Sequence, residues 1–413
     1  MANSFSTALS GLNAASTAID VIGNNLANLS TPGFKASVVS FHDLVTQSIG
    51  AGLGSTQVGF GVGTPITLRE FSQGALQSTG GPLDAAIQGD GFFVVQNSQG
   101  ATEYTRGGNF EVNTGGYLMT ATGEMVQGWT QTNGVLDTNL PVGNIQVPVG
   151  ALAAPVATTS ASVDLNLNSA AAAGDAFSTS VQIYDSLGAA HTATFTFTKT
   201  STANQWQYSV AIPDADVSSP PFAPITGTMT FDSNGNMISP ATTDAPPQIA
   251  ITGLADGASD MNVTWNLFNN GTPRITQFDQ TSAASAQAQN GSPAANLVSV
   301  GLADGGQVLA RYSNGQQVVV GQMAMATIRN PESLIAAGNS NYQASALTAL
   351  PAVGLPGTGG RGTVLGGSIE ASTVDIAKEF TNLIIYQRGY EANAHVVTTV
   401  DQLSQDTINL KQQ

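Results

Sequence analysis

The last forty residues constrain this chain more than any other stretch. Most of the sequence is broken every few residues by Gly, Thr or Asn and reads as strand and turn. From Ser372 to Gln413 there is no Pro, and Gly389 is the only Gly. Ile376, Phe380, Leu383, Tyr390 and Val397 recur at spacings of four, three, seven and seven. Val396, Val400, Leu403, Thr407 and Leu410 repeat four-three-four-three on a slightly rotated line. This is helical periodicity close to a heptad. Ser372 is expected to cap the start, with Asp375 in a capping-box position and Glu370 and Asp375 suited to the positive end of the helix dipole. A helix over residues 374 to 410 would be roughly 55 Å long. Inside a strand-rich protein such a helix needs a partner.

The opening of the chain supplies one. Phe5, Leu9, Leu12, Ile19 and Leu26 follow four-three-seven-seven spacing, and Ala15, Ile22 and Leu29 widen the stripe. Asp20 is the only charged residue between residues 3 and 29. A helix so weakly polar usually has protein on more than one side. Ser30-Thr31-Pro32-Gly33 ends it.

Between the two helices the pattern is β. Gly50, Gly52, Gly54, Gly59, Gly61 and Gly63 mark a connector. Hairpin-like runs then fill residues 72 to 145, with Asp90-Gly91, Gly115-Gly116 and Asn133-Gly134 as turns. An Ala/Ser/Thr-rich boundary at 150–175 leads into period-two strands around Phe195, Trp206, Met229 and Trp265. Between residues 146 and 284 ten Asp oppose only Lys199 and Arg274. Strand signals return at Val308 to Ile328, and residues 351–362 form a Gly/Pro linker. The expected fold is mixed and mainly β. Residues 1–30 with 368–413 form a terminal helical, coiled-coil-like domain, 31–71 with 358–367 a connector, and 72–145 with 285–357 an inner β-domain. Residues 146–284 form an outer β-domain nested in the inner one.

Composition removes several functions. Only 11 Lys and Arg oppose 27 acidic residues, which argues against nucleic acid. There is no Cys, hence no disulfide or thiolate metal site. No apolar run is long enough to span a bilayer, and no signal peptide is visible, so any export is expected to proceed without one. His42, His191 and His395 lie far apart with no second His or carboxylate at ligand spacing, and each reads as a surface or packing histidine. Gly357-x-Gly359-x-x-Gly362 follows a Pro-rich linker instead of a strand and is not a dinucleotide loop. Asp232-x-Asn234-x-Asn236 lacks the sixth-position Gly of a calcium loop and reads as a hairpin turn. The expectation is no enzyme, no cofactor and no metal.

Two motifs carry a resemblance. Ile22 through Lys35 (IGNNLANLSTPGFK) resembles the N-terminal signature of bacterial flagellar rod and hook axial proteins. Ser372 through Ile384 (STVDIAKEFTNLI) and Gln387 through Asn393 (QRGYEAN) resemble the matching C-terminal signature. Thr373 departs from the Asn more usual there, a mild change beside a helix start. Interior runs around Tyr104, Arg106, Gly108 and Phe110, at Val126 to Trp129, and at Asn330-Pro331 resemble hook members. Rod members are usually much shorter because they lack the inserted outer domain, so a hook-type member is the better match. A distal rod protein of the same family is the alternative, and a secreted carbohydrate-active β-protein a remote one.

The resemblance implies a homopolymer of many copies: a curved, hollow tube outside the cell that acts as a universal joint between motor and filament. It further implies contacts with the distal rod, the hook cap, the hook–filament junction proteins and the flagellar export apparatus. Assembly contacts are then expected from Phe5, Leu9, Leu12, Ile19, Ile22 and Leu26 on the first helix. On the second they are expected from Ile376, Phe380, Leu383, Gln387, Tyr390, Asn393, Val397, Val400, Leu403 and Leu410. Asn24, Asn25 and Asn28 read either as helix-end groups or as interhelical hydrogen-bonders that fix register. Arg388 with Glu391 reads either as an i, i+3 pair or as an intersubunit contact.

Overall fold

The computed structural model describes residues 2–44, 47–49, 56–131 and 135–410. The turn expected at Asn133-Gly134 and the glycines Gly50, Gly52 and Gly54 lie outside these. The chain divides into two compact units. One comprises Met1–Val149, Ser299–Ala310 and Gln317–Gln413, the other Gly150–Val298 and Arg311–Gln316.

The first unit holds both long helices, α1 (Ala2–Ala27) and α2 (Ile376–Leu410). The second starts later than Ser372. Asp375 is the cap, its Oδ1 accepting the N–H groups of Ala377 at 2.8 Å and Lys378 at 3.2 Å. Ser372 Oγ instead accepts from the nearby Val374 N–H. A carboxylate at the cap satisfies two orphan donors and complements the helix dipole, which a hydroxyl three residues upstream cannot do.

The β-part of this unit runs in the order Gln317–Met323, Met125–Thr130, Phe92–Gln96, Thr102–Thr105, Asn341–Gln343, Ile335–Gly338, each pair antiparallel. Phe92, Phe93, Val94 and Val95 are all buried, because this strand is covered on both faces and so reads as a continuous apolar run. Phe71, Phe92 and Tyr342 pack edge to face with centroids 5.1–6.2 Å apart. Two short pairings bring the C-terminal approach back to the N-terminal half. Thr363–Gly366 pairs with Ala85–Gln88, and Ser368–Glu370 pairs with Leu76–Ser78.

The second unit contains two five-stranded sheets. One is an antiparallel meander over Ala176–Tyr184, Ala190–Lys199, Gln205–Ala211, Ile225–Phe231 and Met237–Ser239. The other is built around Ser160–Asn168. Strand Ala283–Gln289, which straddles the expected boundary at residue 284, pairs with Ser160–Asn168 along its length. Alternation decides the core: His191, Ala193, Phe195, Phe197 and Lys199 all point inward. Trp265 is wholly buried, 4.9 Å from Phe195 and 5.2 Å from Tyr208 by ring centroid. Asp232 Oδ1 accepts the N–H groups of Asn234 at 2.9 Å and Asn236 at 2.8 Å, so the Asp-x-Asn-x-Asn run is a hairpin turn.

Candidate functional site

The two helices lie against each other. A Cβ built on Gly11 would stand 2.9 Å from Asn393 Nδ2, so the backbone of α1 approaches α2 closely there. Asn25 Nδ2 donates to Glu379 Oε1 at 3.1 Å. Fourteen residues forward along α1 (Gly11 to Asn25) match fourteen backward along α2 (Asn393 to Glu379), so the pair is antiparallel.

The buried line on α1 is Ala8, Ala15, Ala18, Ile22 and Asn25, at spacings of seven, three, four and three. On α2 the buried or half-buried line is Glu379, Leu383, Tyr386, Asn393, Val397 and Val400. The seam is therefore a heptad seam built on alanine, which lets two helices approach more closely than leucine would. Its cost is that little apolar area is covered.

Much of the large apolar area lies elsewhere. Phe5 and Leu9 are exposed, Leu12, Ile19 and Leu26 half-buried, and among the large side chains of that stripe only Ile22 is fully buried. Ile376, Phe380, Tyr390 and Leu403 are exposed on α2, as are Ile384, Ile385 and Val396. Ile384 and Ile385 fall off the four-three line, which is why spacing did not single them out. Leu410 ends α2, and its side chain lies outside the described residues. Isolated exposed apolar side chains are ordinary, whereas these form a run along one helix pair.

The polar residues separate into different roles. Asn25 is buried and bridges three elements: besides Glu379, its Nδ2 donates to Ser37 O at 2.8 Å and its Oδ1 accepts from Ser37 N at 3.0 Å. Asn28 is half-buried and donates to Asn24 O at 2.9 Å, a helix-end contact, while Asn24 is exposed. Gln387 and Arg388 are exposed, and Arg388 forms no ion pair with Glu391. Burial against α1 raises the Glu379 carboxyl above its usual range, an effect the Asn25 hydrogen bond opposes.

A buried ion cluster anchors the base of the pair. Lys35 Nζ meets Glu370 Oε1 at 2.6 Å, and Arg106 Nη1 meets Glu370 Oε2 at 3.2 Å. Gly74 N–H also donates to Glu370 Oε1, at 2.7 Å, and Arg106 Nη2 donates to Gly89 O at 2.9 Å. Lys35 and Glu370 have no solvent exposure. Burial pulls the Lys35 ammonium below its usual range, and Glu370 opposes this. Just before it, Gly33 has φ +69°, and a Cβ there would come within 2.4 Å of Gly107 N, so this position admits only glycine. The sequence singled out Lys35 only as a letter of a motif and Gly33 only as a motif letter and part of the helix stop. Glu370 was assigned to the helix dipole, whereas it is the acceptor that ties α1's exit to the β-part.

Of the two readings of His191, the surface one is excluded. The residue is buried, with Nδ1 3.0 Å from Asp216 Oδ2 and Nε2 3.1 Å from Asp185 Oδ2. Asp185 lies only six residues before it, whereas Asp216 lies 25 residues after it, beyond any local ligand spacing. Among the described residues no helix is long and apolar enough to cross a membrane.

Comparison with known proteins gives four matches along the chain. Residues 5–35 match the family described as "Flagella basal body rod protein", and residues 86–165 the "Flagellar hook protein FlgE/F/G D1 domain". Residues 151–292 match the "Flagellar basal body protein FlaE D2 domain", and residues 365–410 the "Flagellar basal body rod FlgEFG protein C-terminal" family. The flagellar hook protein FlgE of Escherichia coli K12 is 34% identical across 98% of this chain and 100% of its own length. That of Treponema pallidum is 31% identical across 100% of both. The crystal structure of Helicobacter pylori flagellar hook protein FlgE2 shares the fold, with a TM-score of 0.52 over 70% of this chain and 98% of that one at 15% identity. Full-length identity of this order, with family matches at both helices and both β-regions, places the chain: it belongs to the flagellar hook protein family.

Proposed function

We propose that the chain is a structural subunit that self-assembles into the curved, hollow tube of the flagellar hook and passes motor torque to the filament as a universal joint. The observation that carries this is the mismatch on the terminal helices. Their mutual seam is made largely of alanine, and Phe5, Leu9, Ile376, Phe380, Ile384, Ile385 and Leu403 stay exposed. Neighbouring subunits cover these residues in an inner helical tube, and the β-regions form the outer layers.

The composition supports sliding between those outer layers. Charged residues make up 9% of the chain, so few fixed salt bridges resist a change of lateral contact as the tube bends. The role is structural and not catalytic, the location extracellular, and the neighbours the distal rod, hook cap, junction proteins and export apparatus. Electron microscopy of polymers grown from the purified chain tests the reading. Curved tubes are expected, and straight ones would favour a drive-shaft role. Deletion of residues 1–25 or 375–413 is expected to abolish the tubes, and normal tubes from either truncation would overturn the inner-tube arrangement.

A further inference from the structure

The second unit contains a group of side chains to which the proposed function assigns no role. Asp185 lies in the turn after strand Ala176–Tyr184. Its Oδ1 accepts the N–H groups of Leu187 at 2.8 Å and Ala189 at 2.9 Å, which fixes the carboxylate and leaves Oδ2 free. Oδ2 stands 3.1 Å from His191 Nε2, and Asp256 Oδ2 stands 3.9 Å from the same nitrogen. The three donor atoms lie within 4.8 Å of one another. On the far side of the ring, Nδ1 is 3.0 Å from Asp216 Oδ2.

This arrangement gathers three carboxylates around one imidazole. Asp216 and Asp185 each stand within hydrogen-bond distance of a ring nitrogen, and a metal ion at Nε2 would take the place of the proton shared with Asp185. No Lys or Arg among the described residues forms an ion pair with any of the three Asp. A proton on Nε2 bonds Asp185 but leaves Asp256, at 3.9 Å, outside hydrogen-bond range and close to another carboxylate. A metal ion bonds all three.

The spacing selects the class of metal. Tetrahedral ligands held at about 2.1 Å from zinc stand roughly 3.4 Å apart, a value that the two separations to Nε2 bracket. Imidazole with two monodentate carboxylates suits a zinc-like ion, whereas calcium takes six to eight oxygens. The His191–Asp216 contact is the carboxylate–imidazole pairing that orients metal-bound histidines. Asp256 is partly open to solvent, which gives an entry path and room for a fourth, water ligand. We propose that His191 Nε2, Asp185 Oδ2 and Asp256 Oδ2 bind one zinc-class divalent cation, with Asp216 as the residue that positions the imidazole. The ion would clamp the turn after one strand, the start of the next and the loop carrying Asp256.

The test is calorimetric titration of the full chain with zinc chloride, paired with thermal unfolding in zinc and in EDTA. One saturable site per chain is expected, with a melting transition that rises in zinc and returns in EDTA. Asp256→Asn, at an exposed position, is expected to weaken zinc more than tenfold while leaving the EDTA melt unchanged. Asp216→Asn is expected to weaken it about 10- to 100-fold through loss of orientation. Absence of saturable zinc binding would overturn the proposal and leave a proton as the cluster's cation. Binding undiminished in both variants would also overturn it, by placing the ion elsewhere, and so would preference for calcium over zinc.

Discussion

Phe380→Ser separates folding from assembly. Phe380 is 51% exposed, and a phenylalanine side chain offers roughly 200 Å² of surface, so about 100 Å² remains for a neighbour to cover. At about 25 cal/mol per Å² its burial stabilises each new contact by about 2.5 kcal/mol. Losing it should raise the critical concentration for polymerisation on the order of 70-fold. The isolated chain should lose less, because about half of the ring is already open to solvent and the seam residues Ala15, Ala18 and Ile22 are untouched. Sedimentation of polymer against monomer over a concentration series reads the first quantity, and a far-UV melt of the monomer the second. An unchanged critical concentration would refute the argument. So would a monomer melt lowered in proportion, since the ring would then belong to the intramolecular fold.

Three further outcomes follow from the same geometry. Gly11→Leu should push α1 from α2 and lower helix-pair stability measured by amide exchange, and Asn393→Ala should restore part of it, because the nearest obstacle is the Asn393 amide. Glu370→Gln removes the buried counter-charge of Lys35 and Arg106 and should destabilise the first unit by about 3–5 kcal/mol in denaturant unfolding. Glu379 has a folded pKa raised by burial, so its contribution to stability is complete below the unfolded carboxyl value and is lost as pH rises through the folded one. Helix-pair protection should accordingly increase on acidification through the carboxylate range, and Glu379→Gln should flatten that dependence.

The helices were legible because apolar periodicity survives over many residues. The face that pairs them was not. Spacing arguments weight Phe, Leu and Ile, whereas the intramolecular seam is made of Ala8, Ala15 and Ala18, whose value is closeness of approach and not area. The same weighting did find Phe5, Leu9 and Phe380, the residues left without an intramolecular cover. The start of α2 was misplaced because Ser372 and Asp375 are both good caps, and only backbone geometry chooses between them. Lys35, Arg106 and Glu370 could be read one at a time, but their meeting depends on the pairing of Ser368–Glu370 with Leu76–Ser78. His191 failed for the same reason: Asp216 and Asp256 reach it through sheet topology, which local spacing does not encode.

The absence of cysteine from the chain opens a direct test of the assembly surface. Val396→Cys places one thiol on the exposed face of α2 with little change in size. Its rate of maleimide labelling, compared between monomer and assembled tube, measures whether a neighbour covers that face. Burial of that face by a neighbour predicts rapid labelling of the monomer and strong protection in the tube. Equal rates in the two states would contradict it.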